Sequence, residues 1–220
     1  MGQIGKEYTE VAIMPFYNKG TLLDFIGNKD NSKELLPIFQ KTIEALEKLH
    51  ELGYVHRDLK PENIFCHKEE ENENLKIGLG DFGCALKAGN KETWRNRFEG
   101  SFKYASPETL ALEDHVSQPR DIYAFGLMLF EAFCSSESRK KFDQYAILAA
   151  KKIVNNADKE KKVSAEKYWV SVQNCIKEDQ KLKNSELKTL ILECTLRNPK
   201  NRPIAAQVKK KLPQILKGIE

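Results

Sequence analysis

The chain has 220 residues and a net charge of +4, with 40% apolar and 31% charged residues. That length and composition fit one large soluble domain or two small ones. The small net charge gives no ground for nucleic-acid binding, and no apolar run reaches membrane-spanning length, since the best candidate, 122–134, is short and contains Glu131.

The first apolar run, Val11-Ala-Ile-Met14, is short, β-branched and closed by Pro15, which predicts a strand. Asn18-Lys-Gly20 makes a turn, and Thr21 can cap a short helix beginning at Leu22. From 32 to 52 the spacing of Leu35, Leu36, Phe39, Ile43, Leu46 and Leu49 predicts one amphipathic helix, with Ser32 as a candidate cap and Gly53 as a left-handed stop. Pro37 is tolerable there only near the first turn. Two short apolar runs, 63–66 and Leu75–Leu79, flank an acidic stretch with Glu69, Glu70, Glu71 and Glu73, which reads as a β-ribbon with a charged turn. Residues 87–100 are polar and aperiodic, and a loop of that length in a compact domain is often functional.

The stretch 122–133 is apolar nearly all round and predicts a buried helix. Several lysine-rich amphipathic helices follow, broken near Asn155-Asn156, Asn184 and Asn198-Pro199. Residues 151–220 hold 17 Lys+Arg against 8 Asp+Glu, which reads first as a solvated helical surface. No repeat and no internal linker divide the chain. The five cysteines are odd in number, widely spaced and without a CxxC pair, so neither zinc nor disulfides are expected; a reducing, cytoplasmic setting is.

Two segments carry chemistry. In His56-Arg57-Asp58-Leu59-Lys60-Pro61-Glu62-Asn63 a lysine stands two places, and an asparagine five places, after an aspartate; Asp81-Phe82-Gly83 begins 23 residues after Asp58. Any one of these charges alone would read as surface. The intact octad with its downstream triplet resembles the phosphoryl-transfer site of the eukaryotic protein kinase family. The resemblance continues through Gly100-Ser-Phe-Lys-Tyr-Ala-Ser-Pro-Glu108, similar to the end of an activation segment. It includes Asp121-Ile-Tyr-Ala-Phe-Gly126, similar to the start of the family's central helix, and Asn198-Pro-Lys-Asn-Arg202-Pro203, similar to its late arginine motif.

The resemblance implies a mainly α fold with a few short β-strands (α+β), that of a kinase large lobe. Residues 1–14 would be a remnant of a small-lobe strand, 15–20 the hinge and 21–220 the large lobe. It implies ATP and Mg2+ as cofactors and a protein serine or threonine as substrate, the latter from Lys60 and Ser101. Asp58 would accept the proton of the attacking hydroxyl, Lys60 would sit beside the transferred phosphoryl group, and Asn63 and Asp81 would hold Mg2+. Met14 occupies the gatekeeper place; the Pro15 carbonyl and the Tyr17 amide would read adenine. The resemblance further implies that Asp121 ties down the catalytic-loop backbone, that Arg202 pairs with Glu108, and that Arg57 meets a phosphate on Thr93.

Gly2 and Gly5, ahead of Met14, make no glycine-rich loop, and neither early lysine, Lys6 or Lys19, lies in the expected strand context. The expectation is therefore a chain whose small lobe is largely absent and whose own phosphorylation activity is weak or nil. A catalytically inactive binding or scaffold module, a truncated copy of a longer kinase, and a partner chain covering the hinge face are the alternatives that follow.

Overall fold

The computed structural model describes residues 14–27, 32–69, 75–90, 100–112, 116–155, 158–182 and 185–217. The expected strand residues 11–13, the glutamates 70–73, the breaks at 156 and 184, and Thr93 lie outside them.

Helix α4 (Pro119–Phe133) is the centre. Every residue from Arg120 to Phe133 is buried, as its all-round apolar surface requires. Helix α2 (Ser32–Glu51) lays Leu35, Ile38, Phe39, Ile43 and Leu46 into the same core, and the Phe39 ring meets Phe125 edge-on at 5.8 Å. Pro37 departs from expectation: it stands past the first turn, inside the helix. A proline there removes one helical hydrogen bond, and the buried residues on either side of it, Leu35, Ile38 and Phe39, offset that loss. Thr21 does cap the short α1 (Leu22–Phe25), with its amide and hydroxyl donating to the Asp24 carboxylate at 2.8 and 3.1 Å. Gly53 ends α2 at φ 79, as expected.

Two small antiparallel ribbons lie on this helical base. β1 (Tyr54–Val55) pairs with β4 (Leu86–Lys87), and β2 (Ile64–Lys68) pairs with β3 (Leu75–Leu79). The second ribbon was legible; the first was not, because two-residue strands carry no period. The segment after Pro15 is stitched to β2: the Lys19 amide donates to the Cys66 carbonyl at 3.0 Å and the Cys66 amide to the Gly20 carbonyl at 2.8 Å.

Helix α3 (Pro107–Leu110) precedes α4; α5 (Ser136–Asn155), α6 (Asp158–Glu178), α7 (Glu186–Cys194) and α8 (Ala205–Lys217) complete the base. A short turn, Pro199–Asn201, falls at the predicted break. Among the described residues no helix is long and apolar enough to cross a membrane. All five cysteines are free.

Candidate active site

The loop between β1 and β2 is fixed from below by α4. The His56 and Arg57 amides donate to the two Asp121 carboxylate oxygens at 2.8 and 2.9 Å, and the His50 ring nitrogen lies 2.9 Å from the same group. Burial alone would push the Asp121 carboxyl up. The His50 hydrogen bond and charge, with the two amides, outweigh burial and hold it below the ordinary value. This clamp secures Arg57 at φ 71, a left-handed conformation that costs a non-glycine residue about 1–3 kcal/mol. The Arg57 guanidinium donates to the Cys84 carbonyl at 3.0 Å, tying the loop to the turn Phe82–Cys84.

Asp58 is 8% exposed. Its Oδ2 accepts from Lys60 Nζ at 2.8 Å, while its Oδ1 is buried without a hydrogen-bond partner. Lys60 also donates to Ser101 Oγ at 3.2 Å. Burial lowers the Lys60 ammonium's affinity for its proton, but the Asp58 hydrogen bond and charge, helped by Glu62 and Asp81, leave it raised above its usual value. Asn63 donates its side-chain amide to the Asp58 carbonyl at 2.9 Å. A carbonyl can only accept, so the amide's orientation is settled by chemistry and its oxygen stays uncommitted.

Asp81 reaches the same place through the backbone. The Gly80 amide donates to the Asn63 carbonyl at 2.9 Å, and the His56 ring binds the Gly80 carbonyl at 2.9 Å. Asp81 itself is exposed and left-handed at φ 56; its carboxylate receives one long bond, from the Gly83 amide at 3.4 Å. The structure thus brings Asp58, Lys60, Asn63 and Asp81 to one surface.

The Pro15-to-Tyr17 segment lies at the ribbon's edge. Met14 is half exposed and Phe16 almost wholly so. The Tyr17 ring packs against Phe65 at 5.6 Å, and Gly78 makes room for it: a Cβ there would stand 2.1 Å from the Tyr17 hydroxyl. Gly80 does the same for Phe65, at 2.0 Å. Gly78-Leu-Gly80-Asp-Phe-Gly83 therefore satisfies the phosphate-loop pattern G-x-G-x-x-G by spelling alone, since at least its first two glycines serve aromatic packing.

Gly100, at φ 109, lies against the loop that carries Arg57 and Asp58; a Cβ there would meet the Arg57 carbonyl at 2.8 Å and Asp58 Oδ1 at 3.4 Å. Beyond it lies a cluster that sequence reasoning missed. Lys103 bonds Glu131 and, at 2.6 Å, Asp143, while the Tyr104 hydroxyl donates to Glu131 and the Tyr168 hydroxyl to the Lys103 carbonyl at 2.6 Å. These residues come from α4, α5, α6 and the turn Phe102–Tyr104, so no local pattern joins them. The segment ends on Glu108, which takes both Arg202 terminal nitrogens at 2.6 and 2.7 Å in the core.

A clamped loop bearing an aspartate and a lysine, with an aspartate on a second turn near enough for its charge to act on that lysine, is compatible with a phosphoryl-transfer site. The sequence comparison agrees: the protein kinase domain matches residues 3–212, and the chain belongs to that family. It is 38% identical over 133 residues to the interferon-induced, double-stranded RNA-activated protein kinase of Mus musculus, covering 58% of this chain and 25% of that protein. It is 36% identical over 133 residues to the eIF-2-alpha kinase GCN2 of Schizosaccharomyces pombe, covering 54% of this chain and 8% of that one. Against 3-phosphoinositide-dependent protein kinase 1 of Homo sapiens it is 32% identical over 138 residues, 61% of this chain and 24% of that one. The chain spans a quarter or less of the length of these relatives.

Proposed function

We propose that the chain transfers the γ-phosphoryl group of ATP to serine or threonine hydroxyls of protein substrates, with Mg2+, and does so only weakly on its own, because Gly2 and Gly5 make no glycine-rich loop ahead of Met14. The observation that carries this reading is the union of Asp58, Lys60, Asn63 and Asp81 through direct bonds and the Asn63–Gly80 backbone link.

The residues fit the group. Among the described residues no cluster of three His, Cys, Asp or Glu could hold a metal ion. Mg2+ asks for less: one or two protein oxygens, with the remaining positions filled by water and phosphate. The exposed Asp81 carboxylate and the uncommitted Asn63 amide oxygen supply those. When bound, the metal neutralises the phosphates and holds them in line. Lys60 supplies a fixed positive charge beside them, held by Asp58 and Ser101. Asp58 accepts the substrate proton on Oδ1, the oxygen with unspent acceptor capacity, and glycine at position 100 leaves the space beside that oxygen that a Cβ would occupy. Positioned general-base help of this kind contributes about 10²–10⁴-fold in rate. The Pro15 carbonyl and the Tyr17 amide, which bond no other group among the described residues, are free to read the adenine edge, with Met14 beside them.

The test is transfer of radiolabel from [γ-32P]ATP to a general serine/threonine acceptor such as casein, followed by phosphoamino-acid analysis. Mg2+-dependent labelling of serine or threonine that falls by about 10²-fold or more in Asp58→Asn supports the reading. Labelling that is insensitive to Asp58→Asn, or none at all, favours a non-catalytic binding module.

A further inference from the structure

Helices α5 and α6 pack side by side and leave between them a surface groove of about 480 Å3, whose lining comes from these two helices and does not include Asp58. Its walls are helical stripes: Tyr145, Leu148 and Lys152 stand at i, i+3 and i+7 on α5, and Lys167, Tyr168 and Val170 line it from α6. Leu148 is 55% and Val170 43% exposed, although both are large and apolar. A few exposed apolar side chains are ordinary; an exposed leucine and an exposed valine lining one concave groove of ligand-binding size are less so.

The groove lining holds three charged residues, two lysines and one glutamate. Lys152 and Lys167 are exposed and make no ion pair among the described residues. The acid in the lining, Glu166, is already taken by Arg197 Nε at 2.7 Å. The floor is fixed, because the Tyr168 hydroxyl is held by the Lys103 carbonyl at 2.6 Å. The groove is thus preformed, apolar within and positive at its lip.

We propose that this groove docks an acidic segment of a partner protein, with large apolar side chains seated against Leu148 and Val170 and carboxylates facing Lys152 and Lys167. A basic segment would bring like charges together at the lip. A fixed, preformed groove lowers the ordering cost of binding for a segment of this kind. The site is independent of phosphoryl transfer, and its test needs no activity.

Short random peptides displayed on phage are panned against the full chain. The recovered peptides are synthesised and titrated by fluorescence polarisation against the wild type, against Lys152→Glu/Lys167→Glu, and against Leu148→Ser/Val170→Ser. All substituted residues are exposed, and matching thermal melts confirm that each variant is folded. The expected result is enrichment of peptides that combine acidic and large apolar residues, with affinity falling about tenfold or more in each variant and weakening with salt. Basic peptides, affinities unchanged by both variants, or no enrichment over uncoated surface would overturn the proposal. So would light scattering that shows a homodimer lost in Leu148→Ser/Val170→Ser, because the groove would then hold a second copy of the chain.

Discussion

Asp58, Asp121 and Glu108 are three buried carboxylates with three different solutions to the cost of burial. Asp58 keeps one oxygen on Lys60 and one unpartnered. Asp121 is fully satisfied by two amides and His50. Glu108 is matched bidentately by Arg202, whose guanidinium also lies 4.9 Å from the Tyr123 ring centre. Arg202→Met therefore strands Glu108 in the core, and urea unfolding is expected to lose about 3–5 kcal/mol; Glu108→Leu/Arg202→Met is expected to recover most of that loss. Asp121 makes a pH prediction. Its folded pKa lies below the unfolded value of 3.8, so its contribution is complete above that value and is lost as pH falls through the folded one. The stability gap between wild type and Asp121→Asn, measured by denaturant titration, is expected to be constant from pH 7 to about 5 and to shrink below about 4. The octad was legible at this scale because its residues are near neighbours whose spacing is itself the signal. Lys103, Glu131 and Asp143 were not, because three residues far apart in sequence meet only once α4 and α5 have packed.

At the scale of elements, close approach decides the structure. α4 and α7 meet at Gly126, where a Cβ would stand 2.6 Å from the Cys194 Cβ and 3.1 Å from Thr195 Cγ2. In an exposed helix, alanine would gain up to about 1 kcal/mol over glycine. Here the two helices must separate, and Gly126→Ala is expected to cost about 1–3 kcal/mol net, read as a lowered melting temperature. The buried character of α4 was plain from its composition, and α2 from its apolar stripe. The β1–β4 ribbon was hidden by its length, and Pro37 was misplaced because local propensity says nothing of the core that holds the helix around it. The activation-segment strap is a tertiary construction: Gly100 against Asp58, Ser101 on Lys60, Lys103 on two helices and Glu108 on Arg202. Lys103→Met is expected to loosen that strap, with faster amide exchange over residues 101–105, and Lys103→Arg to restore protection.

Across the whole molecule, a helical base buries its reactive groups and leaves its chemistry at one rim. Cys66, Cys134, Cys175 and Cys194 are buried, and burial pushes the thiols of Cys66, Cys134 and Cys194 up to about 12. Cys84, partly exposed beside Asp81-Phe82-Gly83, is the exception. Ellman's reagent is accordingly expected to modify one thiol quickly in the native chain and all five in denaturant. At the rim, Asn63 and Asp81 present oxygens that no donor among the described residues saturates, and the proposed nucleotide site depends on that feature. Calorimetric titration of ATP into the full chain, with and without Mg2+, tests it most directly. The account predicts Mg2+-dependent binding that disappears in Asp81→Asn, an exposed substitution that leaves the melting temperature unchanged. ATP binding of equal strength without Mg2+, or undiminished in Asp81→Asn, would contradict it.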